Sequence, residues 1–265
     1  YEKIFLYLIN SRRPSYKYQM PLVVANPSFD LDSTSIAFPE TLIASQQRSG
    51  DLLSRTWKAL PGTAIEGKTI TQITDAKLLT QTQATALAIQ EANTPKIFHI
   101  ASHAYYLPPE ENEIENPLLR SGIVLAGANN PEDNEQDDGY LTALEVTKLD
   151  LKGTQMVVIS GCESGKGDIQ SGEGLYGLKR AIAVAGARSS LLSLWKVDDA
   201  ATAAFMESFY QNLKNGQGRA DALLETQKDF REKKITSGDP LMDWSEPYYW
   251  AAFQLSGDWT PIEGL

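Results

Sequence analysis

The sequence predicts an α/β fold, a mostly parallel central sheet with helices on both faces. Three observations carry this. Strand-like and helix-like segments alternate along most of the chain, the pattern of a parallel sheet with helical crossovers. Two short runs, Ile97-Phe98-His99-Ile100 and Met156-Val157-Val158-Ile159, are apolar throughout, as strands buried on both faces are. Each run stops at small residues and then delivers a reactive side chain: Ala101-Ser102-His103-Ala104 after the first, Ser160-Gly161-Cys162-Glu163 after the second.

Taken in order, Leu22-Val23-Val24-Ala25 reads as a strand closed by Asn26-Pro27. A helix is expected over about Glu40 to Trp57, from its apolar spacing at Leu42, Ile43, Leu52 and Leu53, with Pro61-Gly62 as its stop. Thr63 to Ile70 reads as a weak edge strand. Thr82 to Ala92 is Ala-rich and helical, ended by Pro95. Ile97 to Ser102 is the first central strand. Ser121 to Ala126 is a further strand, and residues 127–139 form an acidic loop. Thr142-Ala143-Leu144-Glu145 is a capping box opening a short helix.

Thr154 to Ser160 is the second central strand. A helix from about Gly174 carries Leu175, Leu178 and Ile182, and Gly186 caps its end. Ser189 to Trp195 is another strand. Phe205, Phe209 and Leu213 form one stripe on the helix that follows, beginning at Ala200. A further helix covers about Gly218 to Glu232, and Trp250 to Leu255 closes the sheet. One domain over residues 1–265 is the economical division. The chain starts at Tyr1 rather than Met, so a C-terminal piece of a longer protein is expected.

Composition narrows the functional classes. The net charge is −10, which disfavours direct nucleic-acid binding and anionic membranes. Much of the charge lies in Glu110 to Glu113 and Glu132 to Asp138. These runs read as solvated loops; the second lacks the ligand spacing and glycine of an EF-hand. With one cysteine and two histidines, neither an internal disulfide nor a zinc site is expected. No stretch approaches the roughly 18 apolar residues of a membrane span. A reducing, cytoplasmic setting and no cofactor follow as expectations.

Ligands of open α/β sheets bind outside the carboxyl ends of the strands, where both His103 and Cys162 are expected. A thiol must lose its proton to act as a nucleophile, and a nearby imidazole can take it. Acyl transfer also needs donors for the developing oxyanion, and the backbone N–H groups of Ala104 and Cys162 are candidates. A lone cysteine after a strand is otherwise a small buried hydrophobe. His99, in mid-strand, reads as a satisfied core histidine.

Several ordered motifs resemble the CHAT family of caspase-like domains, often associated with tetratricopeptide repeats. They are Val157-Val158-Ile159-Ser160-Gly161-Cys162-Glu163-Ser164-Gly165, Gly172-Glu173-Gly174-Leu175-Tyr176-Gly177-Leu178, Ala185-Gly186-Ala187-Arg188 and Ser193-Leu194-Trp195-Lys196-Val197-Asp198-Asp199. Upstream, Phe98 to His103 is similar to the family's histidine strand, and Trp250 to Gly257 to its closing strand. The resemblance implies a caspase-like three-layer sandwich and a cysteine endopeptidase with a His103/Cys162 dyad. Two positions depart from the family pattern: Ala104 stands where Gly is usual, and Gly161 where Ala is usual.

The Trp195 to Asp199 segment is similar to the one separases use to bind an arginine side chain. It implies a substrate pocket involving Asp199, Asp198 and Trp195, and cleavage of protein or peptide substrates after Arg or Lys. Either aspartate can instead cap the helix that follows. The resemblance also implies a repeat-domain regulator in cis. The alternatives are a non-proteolytic interaction module on the same fold, or another acyl-transfer enzyme working through the same thioester.

Overall fold

The structure, a computed structural model, describes residues 19–30, 55–107, 116–131, 137–161 and 173–265. Its central sheet has six strands: β1 (Leu22–Pro27), β2 (Lys77–Gln81), β3 (Ile97–Ala101), β7 (Met156–Ile159), β8 (Ser189–Ser193) and β9 (Phe253–Gly257). Their spatial order is β2-β1-β3-β7-β8-β9. All neighbours are parallel except β8 and β9. A second, antiparallel sheet is formed by β4 (Ala104–Tyr106), β5 (Ser121–Val124) and β6 (Tyr140–Thr142). The predicted α/β class, with a mostly parallel sheet flanked by helices, is the architecture found.

Strand alternation divides the core into two halves. Val23, Ala25, Ile97, Met156, Val158 and Leu191 face one way. They pack against α1 (Pro61–Thr74), α5 (Asp199–Lys214) and α6 (Arg219–Arg231) through Ile70, Phe205, Phe209, Leu213, Ala222 and Phe230. Leu22, Val24, Phe98, Ile100, Val157 and Ile159 face the other way. There they meet α2 (Ala86–Gln90), α3 (Ala143–Val146) and α4 (Glu173–Ala185) through Ile89, Val146, Leu178 and Ile182. The stripe on α5 lies where its period put it. The Thr142–Glu145 capping box makes both of its bonds, and Gly186 ends α4 with φ +104°.

Other expectations are corrected. Thr63 to Ile70 is not a strand, and Pro61-Gly62 does not stop a helix: Pro61 occupies the first turn of α1. Proline fits that turn because its missing N–H is one the helix cannot use. The edge strand is β2, which follows the fourteen residues of α1. Gly67 lets α1 lie against β1, since a Cβ there would sit 2.4 Å from that of Ala25. Residues 55–57 are not helical, and the rest of the helix expected over Glu40 to Trp57 falls outside the described residues. The helix placed at Thr82 to Ala92 shrinks to α2, capped by the Thr85 side chain. Trp250 belongs to a short helix, α7 (Pro247–Trp250), rather than to β9.

Asp137 departs from the solvated loop expected of its segment. It is 4% exposed and accepts from Leu87 N at 2.7 Å and Gly139 N at 3.1 Å. Residues 132–136 lie outside the described residues. No described helix is long and apolar enough to cross a membrane.

Candidate active site

The chain leaves the sheet at the carboxyl ends of β1, β3, β7 and β8, and His103 and Asp199 come together there with Gly161. β1 is followed in the chain by β2 on one side, while β3 lies on its other side. This reversal opens a crevice beyond the strand ends. Phe29 follows β1, His103 follows β3, Gly161 follows β7 and Asp199 follows β8. A cavity at this edge is lined by His103, Ser160, Gly161, Asp199, Glu66 and Thr202, with Lys196 among its other walls.

His103 is buried. Its ring contacts those of Phe29 and Trp57, with centroids 5.3 and 5.2 Å away. Its Nε2 is 2.8 Å from the carbonyl oxygen of Lys58. A carbonyl only accepts, so Nε2 carries the proton. Nδ1 is then the nitrogen that gains and loses a proton in any acid–base step. The Lys58 carbonyl is held in turn. Trp57 N donates to Asn129 Oδ1 at 2.7 Å, and Asn129 Nδ2 donates to Trp57 O at 3.0 Å. The Trp57 indole donates to Tyr140 Oη at 2.9 Å. No motif marked Lys58, because a backbone carbonyl has no residue signature.

Ala104 opens β4 opposite Ile123. Val124 N donates to His103 O and Leu107 N to Arg120 O, so bonded pairs of this ladder fall at 103/124 and 107/120. Ala104 lies between bonded positions, and its N–H projects off the outer edge of β4. Gly161 abuts the turn after β3. A Cβ on it would lie 1.6 Å from Ser102 O, so only glycine fits where the family usually has alanine. Cys162, the next residue, lies outside the described residues, as do residues up to 172.

The two aspartates part company. Asp198 is the N-cap of α5, its Oδ1 accepting from Ala201 N at 2.9 Å. Asp199 reaches across to α1, where its Oδ2 accepts from Gly62 N. The N-cap of α1, Leu60, has no capping side chain, so Asp199 supplies that function from another element. Burial is the main force raising the Asp199 pKa. The Gly62 N–H opposes it, Glu66 and Asp198 add to it, and His103 opposes it in turn. Asp199 lines the cavity; Asp198 and Trp195 do not. The Trp195 indole donates to Tyr248 O at 3.1 Å.

His99 is a satisfied core histidine: fully buried, with Nδ1 3.0 Å from Tyr210 Oη and Nε2 3.0 Å from Glu66 Oε1. Glu66, on α1, escaped sequence reading because its segment was assigned to a strand. Among the described residues no cluster of three His, Cys, Asp or Glu side chains could hold a metal.

The CHAT domain family matches residues 6–258. Human tetratricopeptide repeat protein 28 is 27% identical over 281 residues, covering 97% of this chain and 11% of that protein. The mouse protein of the same name is 34% identical over 117 residues, covering 44% of this chain and 4% of its own length. The chain thus spans only a small part of these curated relatives. Among solved structures, the Arg-specific cysteine proteinase gingipain R is similar at 10% identity and a TM-score of 0.48, covering 92% of this chain and 47% of that one.

Proposed function

The chain belongs to the CHAT family, and from that premise we propose that it is a cysteine endopeptidase that cleaves protein substrates after Arg or Lys. One observation carries the reading. The histidine at the end of β3 has its tautomer set by the Lys58 carbonyl. It shares a cavity with Gly161, which immediately precedes the chain's one cysteine. In this reading His103 Nδ1 takes the proton of the Cys162 thiol, and the thiolate attacks the carbonyl carbon before the scissile bond. The carbonyl electrons move to oxygen, and the N–H groups of Ala104 and Cys162 stabilise that charge.

Collapse of the tetrahedral species breaks the C–N bond, and His103 Nδ1–H protonates the leaving amine. A water molecule, deprotonated by the same nitrogen, hydrolyses the thioester. The products are a carboxylate and the free thiol. Asp199 receives the basic side chain of the substrate through the oxygen not bonded to Gly62. Asp198 contributes to the pocket only indirectly, by fixing the start of α5.

Both curated relatives are named tetratricopeptide repeat proteins. A repeat region in the same polypeptide would present substrates to this site or restrain it. The test is digestion of a proteome-derived peptide library, with new ends read by mass spectrometry and Cys162→Ala as control. New ends after Arg or Lys that vanish in the variant are expected. Cys162-dependent ends without a basic preference would remove the Asp199 role. No ends from either protein would favour an interaction module.

A further inference from the structure

The cavity is lined by a second carboxylate that lies outside the sequence motifs described above. Glu66 is 1% exposed, and its Oε1 is engaged with His99 Nε2 at 3.0 Å. Its Oε2 is buried without a hydrogen-bond partner. A buried carboxylate oxygen left unpaired is costly, and native structures seldom keep one without a use. Glu66 lines the same cavity as Asp199. Asp199 has likewise given one oxygen to the protein, through Gly62 N–H. Two carboxylates, each with one oxygen held by the protein, therefore border one space. The basic residue of the lining, Lys196, is exposed, so solvent screens its charge more than that of buried Glu66.

We propose that Glu66 is a specificity-determining residue, its Oε2 joining Asp199 in holding the guanidinium of a substrate arginine in preference to a lysine ammonium. The inference rests on the endopeptidase reading given above. A guanidinium is planar and presents donors along more than one edge, so it can serve two carboxylates on different elements at once. An ammonium is a compact point charge and cannot span them with the same geometry. The arrangement is held rigidly. Tyr210 Oη and His99 fix Glu66 from below, and burial with the Glu66 charge holds the Tyr210 pKa well above its ordinary value, keeping it a donor.

The test uses peptidyl acyloxymethyl ketones, which alkylate an active thiol, with Arg, Lys, citrulline or asymmetric dimethylarginine before the reactive group. Iodoacetamide serves as a thiol probe without side-chain recognition. The wild-type protein is expected to react fastest with the Arg probe. Glu66→Gln keeps an acceptor for His99, and it should lower the Arg rate about ten- to hundredfold. It should bring Arg and Lys rates together and leave the iodoacetamide rate unchanged. In the wild type, asymmetric dimethylation blocks one edge of the guanidinium and should reduce that probe to the Lys level, a result that needs no variant to fold.

An Arg-to-Lys ratio preserved in Glu66→Gln, or a dimethylarginine probe as fast as Arg, overturns the Glu66 assignment while leaving the endopeptidase intact. Labelling by iodoacetamide with no basic probe faster than citrulline instead overturns the basic pocket itself.

Discussion

Asn129 offers the sharpest test of how the histidine is held. Its side chain accepts from Trp57 N at 2.7 Å and donates to Trp57 O at 3.0 Å and to Asp30 Oδ1 at 2.6 Å. It therefore grips both polar groups of the residue preceding Lys58, whose carbonyl accepts from His103 Nε2. Asn129→Ala removes all three bonds. Trp57 is buried, so its N–H would be left unsatisfied at about 1–3 kcal/mol. The bond to Trp57 O adds about 1 kcal/mol, and the one to exposed Asp30 adds less. The expected loss is about 2–4 kcal/mol, a large share of the ~5–15 kcal/mol that keeps a domain folded.

Stability alone would not distinguish a structural residue from a positioning one. The second readout is the pH dependence of alkylation by iodoacetamide, which reports Cys162 unambiguously because the chain has one cysteine. A well-placed carbonyl stabilises the imidazolium form of His103, and the imidazolium in turn favours the thiolate. A loosened Lys58 carbonyl should move the alkylation midpoint to higher pH, toward the ~8.5 of a free thiol. Urea denaturation followed by tryptophan fluorescence gives the first number and the pH–rate profile the second. A variant that loses stability but keeps the wild-type profile refutes the positioning role. A variant within about 0.5 kcal/mol of wild type, inside the range of inert surface changes, refutes the structural account as well.

Two further outcomes follow from single contacts. Gly161→Ala restores the residue usual in the family but places a Cβ 1.6 Å from Ser102 O. The ends of β3 and β7 must then spread, costing about 1–3 kcal/mol and slowing Cys162 alkylation; an unchanged urea midpoint would show that the strands are not so close. Asp137 is raised to about 6, chiefly by burial, against the lowering effect of the Leu87 and Gly139 N–H groups. A raised carboxyl contributes stability that is fully present below pH ~4 and lost as pH rises through about 6, about 3 kcal/mol in all. The stability difference between wild type and Asp137→Asn should change by that amount between pH 3 and pH 7, with wild type relatively better at the acid end. A difference constant with pH counts against the burial argument.

The sheet was legible where apolar residues carried the pattern. Met156 to Ile159 and Ile97 to Ile100 are short and apolar throughout, as buried strands are, and a reactive residue after each points to one sheet edge. β4 and β6 were missed because they are three residues long and have too few residues to display a period. Asp137 was read with its acidic neighbours, yet it turns inward, since the first N–H groups of α2 need an acceptor. Nothing local in a run of acids says which one a distant helix will claim. The same holds for Asp198 and Asp199, adjacent in sequence and capping two different helices.

Helix α1 is the instructive failure, because it hid the residue on which the proposed arginine preference depends. Its buried residues are Gly62, Thr63, Glu66, Gly67, Ile70 and Thr74, a run spaced by three and four as a helix requires. The period is present, but polar and small residues carry it, so a search for apolar spacing passes over it. Four of the residues that stand in place of apolar ones have a physical cause. Gly62 leaves room for the Asp199 carboxylate, and Gly67 lets the helix touch β1. Thr74 returns its hydroxyl to Ile70 O, and Glu66 meets the one histidine of β3. With the Tyr210 hydroxyl donating to Nδ1, His99 Nε2 carries the proton that Glu66 accepts. That arrangement engages one carboxylate oxygen and leaves the other buried without a partner. The residues that erased the helical signal are those that join α1 to the sheet and to the site. A buried helical face made of Thr, Glu and Gly is therefore itself a sign of a functional face, readable once helical spacing is scored without regard to hydrophobicity.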